Sequence, residues 1–189
     1  MKEPKGWHSR HYLPHFDAPE TRQAVTFRLA DSLPADAIAR LRDDPRVRSR
    51  LEELLDNGVG ACWLHDPKFG ALVEDALLHF DGGRYRLLAW CVMPNHVHVL
   101  VEPFDGIRLG DIVGSWKRFT AGKANQLLKR TGSFWQDEYW DRYIRDEGHF
   151  AAAVTYIEEN PVKAGLVRQA VGWPWSSARR RQQHDASLE

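Results

Sequence analysis

Apolar residues run unbroken from Leu87 to Met93, and again from Val97 to Val101 with only His98 between them. Runs this short, rich in Val and bounded by Pro94 and Asn95, predict buried strands rather than helices. Two turn-forming residues between them make strands 84–93 and 96–101 antiparallel neighbours. Ala24–Leu29 predicts a first strand, and Ala61–Leu64 a further short one. Helical periodicity fills the intervals. From Leu33-Pro34, with Ser32 as N-cap, the positions Ile38, Leu41, Leu51, Leu54 and Leu55 predict a helix running to Asp56, where Asn57-Gly58 stops it. Asp66-Pro67 opens a second helix to about Phe80, before the turn Asp81-Gly82-Gly83. Ile107–Lys129 predicts a third, with Ile112, Trp116, Phe119, Ala124 and Leu127/Leu128 toward the core. Phe134–Arg145 is aromatic and extended, and Glu147–Glu159 predicts a last helix that Asn160-Pro161 ends. Gly172–Ser177 reads as loop. Elements interleaved around an antiparallel hairpin indicate an α+β fold with one central antiparallel sheet flanked by helices. At 189 residues the chain is read as one domain over 1–181, with a helical insertion at about 34–80 and a flexible tail at 182–189.

Composition narrows the function classes. No apolar run approaches the ~20 residues that span a bilayer, and Pro, His and charges interrupt the N-terminus before any signal-like segment. The two cysteines, Cys62 and Cys91, have no paired spacing, which argues against a zinc ribbon or a disulfide scaffold. A soluble, cytoplasmic protein with no membrane partner is expected.

The formal net charge of zero conceals segregation. Residues 31–81 carry eleven acids and six bases, whereas residues 106–130 carry six bases against Asp111 alone. Residues 163–181 hold five bases and no acid. Such stretches suggest polyanion contacts, with solvated helix faces as the alternative. Lys117, Arg118 and Lys123 are candidates for phosphate contacts.

The candidate chemistry begins at His96 and His98. On a strand they share a face while Val97 points away, so two imidazoles are close enough to share a cation. Paired histidines on a half-buried strand are also commonly structural. As cation ligands, both are expected to contribute little to core packing. Tyr156 and Asn160 are four apart and lie one turn from each other on one helix face. The Asn160 amide oxygen would complete a site of two histidines and one amide, with Tyr156 beside whatever it binds. Phe134, Trp135, Tyr139, Trp140 and Tyr143 would either stack unpaired bases or close over the sheet as core.

Four segments carry a family resemblance: 10–15 (RHYLPH), 90–98 (WCVMPNHVH), 134–142 (FWQDEYWDR) and 156–167 (YIEENPVKAGLV). In this order they resemble the single-tyrosine HUH transposases, most closely the REP-associated tyrosine transposases. The resemblance implies an HUH endonuclease, ferredoxin-like fold. It implies that His96 and His98 are metal ligands and that Tyr156 is the nucleophile. Asn160 stands where many of the wider group carry Gln or another third ligand on the tyrosine helix. The implied activity is a Mg²⁺- or Mn²⁺-dependent single-strand DNA endonuclease and strand transferase that forms a 5′-phosphotyrosine and acts on hairpin-forming repetitive elements. Arg10, Lys117, Arg118, Lys123, Trp135, Gln136, Arg142 and Lys163 are the candidate DNA contacts. Two alternatives are a DNA-binding regulator without catalysis and a metal hydrolase that uses water as nucleophile. The sequence leaves monomer and homodimer open.

Overall fold

The computed structural model describes residues 6–10, 13–18, 20–33 and 47–187. Its centre is a four-stranded antiparallel sheet of order β4-β5-β3-β6. The strands are β3 (Gln23–Arg28), β4 (Tyr85–Val92), β5 (His96–Pro103) and β6 (Trp140–Tyr143). A separate hairpin joins β1 (Gly6–Arg10) to β2 (Leu13–Asp17). The helices are α1 (Val47–Asp56), α2 (Pro67–Leu78), α3 (Leu109–Leu127), α4 (Glu147–Lys163) and α5 (Ser177–Asp185).

The sheet is apolar on both faces, as its unbroken Val-rich runs require. On one face Val25, Phe27, Val97, Val99 and Val101 pack with Phe69, Val73 and Leu77 of α2 and Ile112, Val113 and Trp116 of α3. On the other, Ala89, Cys91, Met93 and Leu100 pack with Ile157 and Trp173. Helix α4 covers this second face, the one to which the two histidines also belong. A register shift between Leu87 and Ala89 puts a bulge in β4, so alternation restarts and Trp90 and Val92 fall back on the first face.

Several elements depart from expectation for local reasons. Ala61–Leu64 is not a strand; a 3-10 turn at Trp63–His65 drops Leu64 into the core. In α3, Phe119 and Leu127 are 52% and 59% exposed, so the core stripe is narrower than predicted and runs through Ile112, Trp116 and Ala124. Helix α4 passes through Pro161 to Lys163 instead of ending at Asn160. Proline's missing N–H costs one bond to the Ile157 carbonyl so near the C-terminus, and Ala164 N–H still closes on the Asn160 carbonyl at 2.9 Å. Ser176 caps α5, which continues to Asp185, into the segment expected as tail. Of the helix predicted from Leu33-Pro34, residues 34–46 lie outside the described residues, and the remainder is α1. No described helix is long and apolar enough to cross a membrane.

Candidate active site

Strand β5 begins at His96 because the Pro94-Asn95 turn ends β4 and Val97 locks into the core at 0% exposure. The alternation then projects His96 and His98 to the opposite face. Their Nε2 atoms converge to 2.9 Å, with ring centroids 4.7 Å apart at 89°. Two ligand nitrogens each about 2.1 Å from one ion, at right angles, would be about 3.0 Å apart. The pair therefore has the separation of cis ligands.

The hydrogen bonds around the rings fix the protons. Both amide hydrogens of Asn95 go to carbonyls, Leu55 O and Val59 O, each at 3.0 Å. Its Oδ1 is left to accept from His96 Nδ1, at 2.7 Å. His96 thus carries its proton on Nδ1 and presents a bare lone pair at Nε2. Burial pulls the His96 pKa down to about 3, so the ring stays neutral at ordinary pH. His98 Nε2–H then donates to that lone pair, and Nδ1 accepts from the Thr26 hydroxyl at 3.0 Å. A hydroxyl rotates, so Thr26 can equally accept from Nδ1–H, which frees His98 Nε2 for a cation in place of the shared proton. Thr26→Val removes this partner. We expect a 10- to 100-fold loss of Mn²⁺ affinity by calorimetry with the fold retained.

Helix α4 supplies the other two groups. The Tyr156 ring meets His98 edge-on, with centroids 5.6 Å apart. Asn160 is 1% exposed, and its Nδ2 donates to Tyr156 O at 2.9 Å. That leaves Asn160 Oδ1 buried and without a hydrogen-bond partner among the described residues. A buried amide oxygen in this state suits a cation. Among the described residues no group of three or more His, Cys, Asp or Glu side chains is arranged to hold a metal. An ion here would rest on His96, His98, Asn160 and water, a set that fits Mg²⁺ or Mn²⁺. Lys163, two turns beyond Tyr156, lies over its ring with Nζ 4.5 Å from the centroid.

Three neighbours were not visible in the sequence pattern. Asp56, at the end of α1, brings Oδ1 to 3.7 Å from His96 Nε2. Thr26 and Arg28 face His98 and His96 across the β3–β5 register. Arg28 is only 3% exposed. Nothing short of that register could place them, although Asn95 had the signal of its position in the turn.

The histidines are buried, at 1% and 2% exposure, and not the weakly packed ligands expected. This gives a pH signature. The unfolded chain takes up a proton at His96 near pH 6.5, while the folded chain resists until about 3. Stability contributed by neutral His96 is complete above pH 6.5 and falls as pH drops toward 3, by about 1.4 kcal/mol per unit. His96→Gln should flatten the urea midpoint against pH across that window by one proton's worth.

The candidate DNA contacts divide. Trp135 is core, not a stacking platform. It is 4% exposed, edge-on to Phe27, and donates Nε1–H to Thr120 Oγ1 at 2.8 Å. Trp135→Ala should cost about 3–5 kcal/mol in denaturant unfolding, with unchanged DNA affinity in the folded fraction. Lys117 Nζ donates to the carbonyls of Gln136 and Asp137 at 2.6 Å each, pinning that loop to α3. Gln136 N–H bonds Arg28 O at 2.9 Å. Arg118 and Lys123 are exposed, but α3 packs against the sheet face away from the histidines. Arg142 is exposed on β6, and Lys163 is beside Tyr156. Arg10 closes β1, and its side chain lies outside what the structure describes, as do His11 and Tyr12. The basic run 163–181 is partly neutralised, because Arg181 pairs with Glu158 of α4.

Comparison with known proteins gives the relatives of this chain. Residues 79–160 match the family model described as transposase IS200 like. A Haemophilus influenzae protein assigned as a REP-associated tyrosine transposase is 30% identical over 106 residues, 51% of this chain and 60% of that one. The Escherichia coli K12 REP-associated tyrosine transposase is 31% identical over 98 residues, 51% and 56% of the two chains. The chain thus spans less than two thirds of the length of these relatives. A solved structure of a REP-associated tyrosine transposase bound to a REP hairpin superposes over 95% of this chain and 84% of its own. With a TM-score of 0.58 and 20% identity, it shows the fold: an α+β domain built on an antiparallel sheet flanked by helices.

Proposed function

We propose that this chain, which is similar to the IS200-like transposases over residues 79–160, is a metal-dependent single-strand DNA endonuclease and strand transferase with Tyr156 as nucleophile. One observation carries the reading: the Tyr156 ring touches His98, whose Nε2 converges with that of His96. The ring that bears the proposed nucleophile therefore adjoins two imidazoles spaced as cis ligands of one ion would be.

Held by His96, His98 and Asn160, a divalent ion would neutralise a non-bridging phosphate oxygen and orient the scissile phosphate. The residues of the chain do the rest. Tyr156 Oη attacks phosphorus and loses its phenolic proton to solvent. The bond from phosphorus to the 3′-oxygen breaks, and that oxygen takes a proton from water to leave as a 3′-OH. The new ester joins Tyr156 to the 5′-phosphate. One phosphate ester replaces another, so a 3′-OH from a second strand can reverse the step and no nucleotide is hydrolysed. Lys163, with Nζ over the ring, brings positive charge to the phenol as its oxygen becomes anionic. The buried, neutral His96 and its Asn95 brace keep a ligand lone pair in place throughout.

The substrate is unpaired, because a phosphate inside a duplex does not reach a tyrosine on a helix packed against the sheet. The structural relative is bound to a REP hairpin, which supports hairpin DNA as the substrate, with the cleaved phosphate in an unpaired segment. The test is a labelled hairpin oligonucleotide carrying a single-stranded extension. The reading expects cleavage with Mg²⁺ or Mn²⁺ and none in EDTA; full cleavage in chelator would overturn it.

A further inference from the structure

The β1–β2 hairpin and the edge strand β6 enclose a cavity of about 310 Å³, lined by Trp7, Phe16, Asp141, Arg142, Tyr143 and Arg145. Trp7 is 65% exposed, an expensive place for so large an apolar ring. It is nevertheless held. Its centroid is 5.1 Å from Phe16 and 6.1 Å from Tyr143, and those two rings are 5.2 Å apart. Three mutually braced rings form a rigid wall whose indole is largely open to solvent.

The charge on this wall is positive. Arg142 and Arg145 are both exposed, and among the described residues neither guanidinium has an ion-pair partner. The one acid in the lining, Asp141, is committed elsewhere. Its Oδ1 bonds the buried His15 ring, and its Oδ2 accepts from Phe16 N–H at 3.0 Å. These bonds lock the hairpin to β6 and turn the carboxylate inward.

The cavity lies at the sheet edge two strands from β5, and of its β6 residues Arg142 shares the histidines' face while Asp141 and Tyr143, opposite Val25 and Gln23, lie on the other. Arg142 lies opposite Ala24, and Ala24 opposite Leu100, on the face that carries Thr26 and His98. Tyr143 is two strands over and three residues along from His98, roughly 14 Å away.

We infer that this cavity is a subsite for one unpaired DNA base, stacked on Trp7, with the flanking phosphates held by Arg142 and Arg145. The inference rests on the single-strand reading above. An open indole offers a π-face to any base, and a guanidinium binds phosphate through paired N–H donors. A duplex cannot use the subsite, because its bases already stack on one another.

The test is fluorescence anisotropy with a labelled 20-nucleotide single strand, and with the duplex of the same sequence. Trp7→Leu should weaken single-strand binding roughly 10- to 100-fold and leave duplex binding unchanged, while Trp7→Phe should recover most of the loss. Arg142→Ala with Arg145→Ala should lower the log–log salt slope by about 1.4, which corresponds to two phosphates on a single strand. Trp7→Phe keeps a ring against Phe16 and Tyr143 and should melt as the wild type does, and Trp7→Leu, which loses those contacts at an exposed position, should melt only slightly lower. If the wild type prefers the single strand but Trp7→Leu binds it equally well, or the double variant keeps the full salt slope, the subsite is wrong and the proposed activity stands. If the wild type shows no preference for the single strand, both fall.

Discussion

Tyr156→Phe should abolish cleavage, by at least three orders of magnitude, while the protein stays folded and still binds single-stranded DNA. The substitution removes one oxygen. The ring keeps its edge contact with His98 and its place under Lys163, so packing barely changes. Tyr156 is half-buried in the cluster around Ile157 and Trp173, where the aromatic body, not the hydroxyl, fills space. What is lost is the atom that forms the phosphotyrosine in the proposed mechanism, so the covalent step cannot occur at this position. Single-turnover cleavage in Mn²⁺, with anisotropy on the same samples, separates chemistry from binding. Residual cleavage near the wild-type rate would remove Tyr156 from the mechanism.

His98→Ala should be nearly as damaging, through a different route. It deletes one of the two converging imidazole nitrogens proposed as ligands and leaves the Thr26 hydroxyl and the His96 lone pair without their partner. Both rings are buried, so truncation also opens a cavity, and a stability loss of about 1–3 kcal/mol accompanies the loss of activity. His98→Gln keeps volume and one acceptor, and serves as the control. We expect both variants to lose Mn²⁺ binding by calorimetry and cleavage by at least 100-fold, with His98→Gln melting closer to the wild type. Normal ion binding in His98→Ala would place the cation elsewhere.

The parts of the site that lie within one element were legible in the sequence. Alternation puts His96 and His98 on one face of β5, and helical spacing puts Tyr156 above Asn160. Short apolar runs marked the central strands, and the fold class followed from the helices interleaved around their antiparallel hairpin. The unseen parts depend on pairing between distant segments. The β3–β5 register sets Thr26 against His98 and Arg28 against His96, and no local pattern specifies a register. Asp56 reaches the site only because Asn95 ties its side chain to the end of α1 through Leu55 and Val59. The charge runs left polyanion contact and solvated face open for a related reason: the bases of α3 share a stretch of sequence but belong to a helix on the far face, and Lys117 donates to backbone carbonyls. Trp135 shows the limit of aromatic composition, since stacking residue and core residue look alike until burial separates them.

The central claim is a covalent bond between Tyr156 and a DNA 5′-phosphate. It is tested most directly by incubating the wild-type protein with a cleavable single strand labelled at its 5′ end in one sample and its 3′ end in another. Denaturing electrophoresis and peptide mass mapping then follow the label. The account predicts a denaturant-resistant adduct that carries only the 3′-end label, on the peptide containing Tyr156, with a free 3′-OH on the other fragment. Cleavage without any adduct, which would make water the nucleophile, or an adduct mapping to Tyr139 or Tyr143, would contradict it.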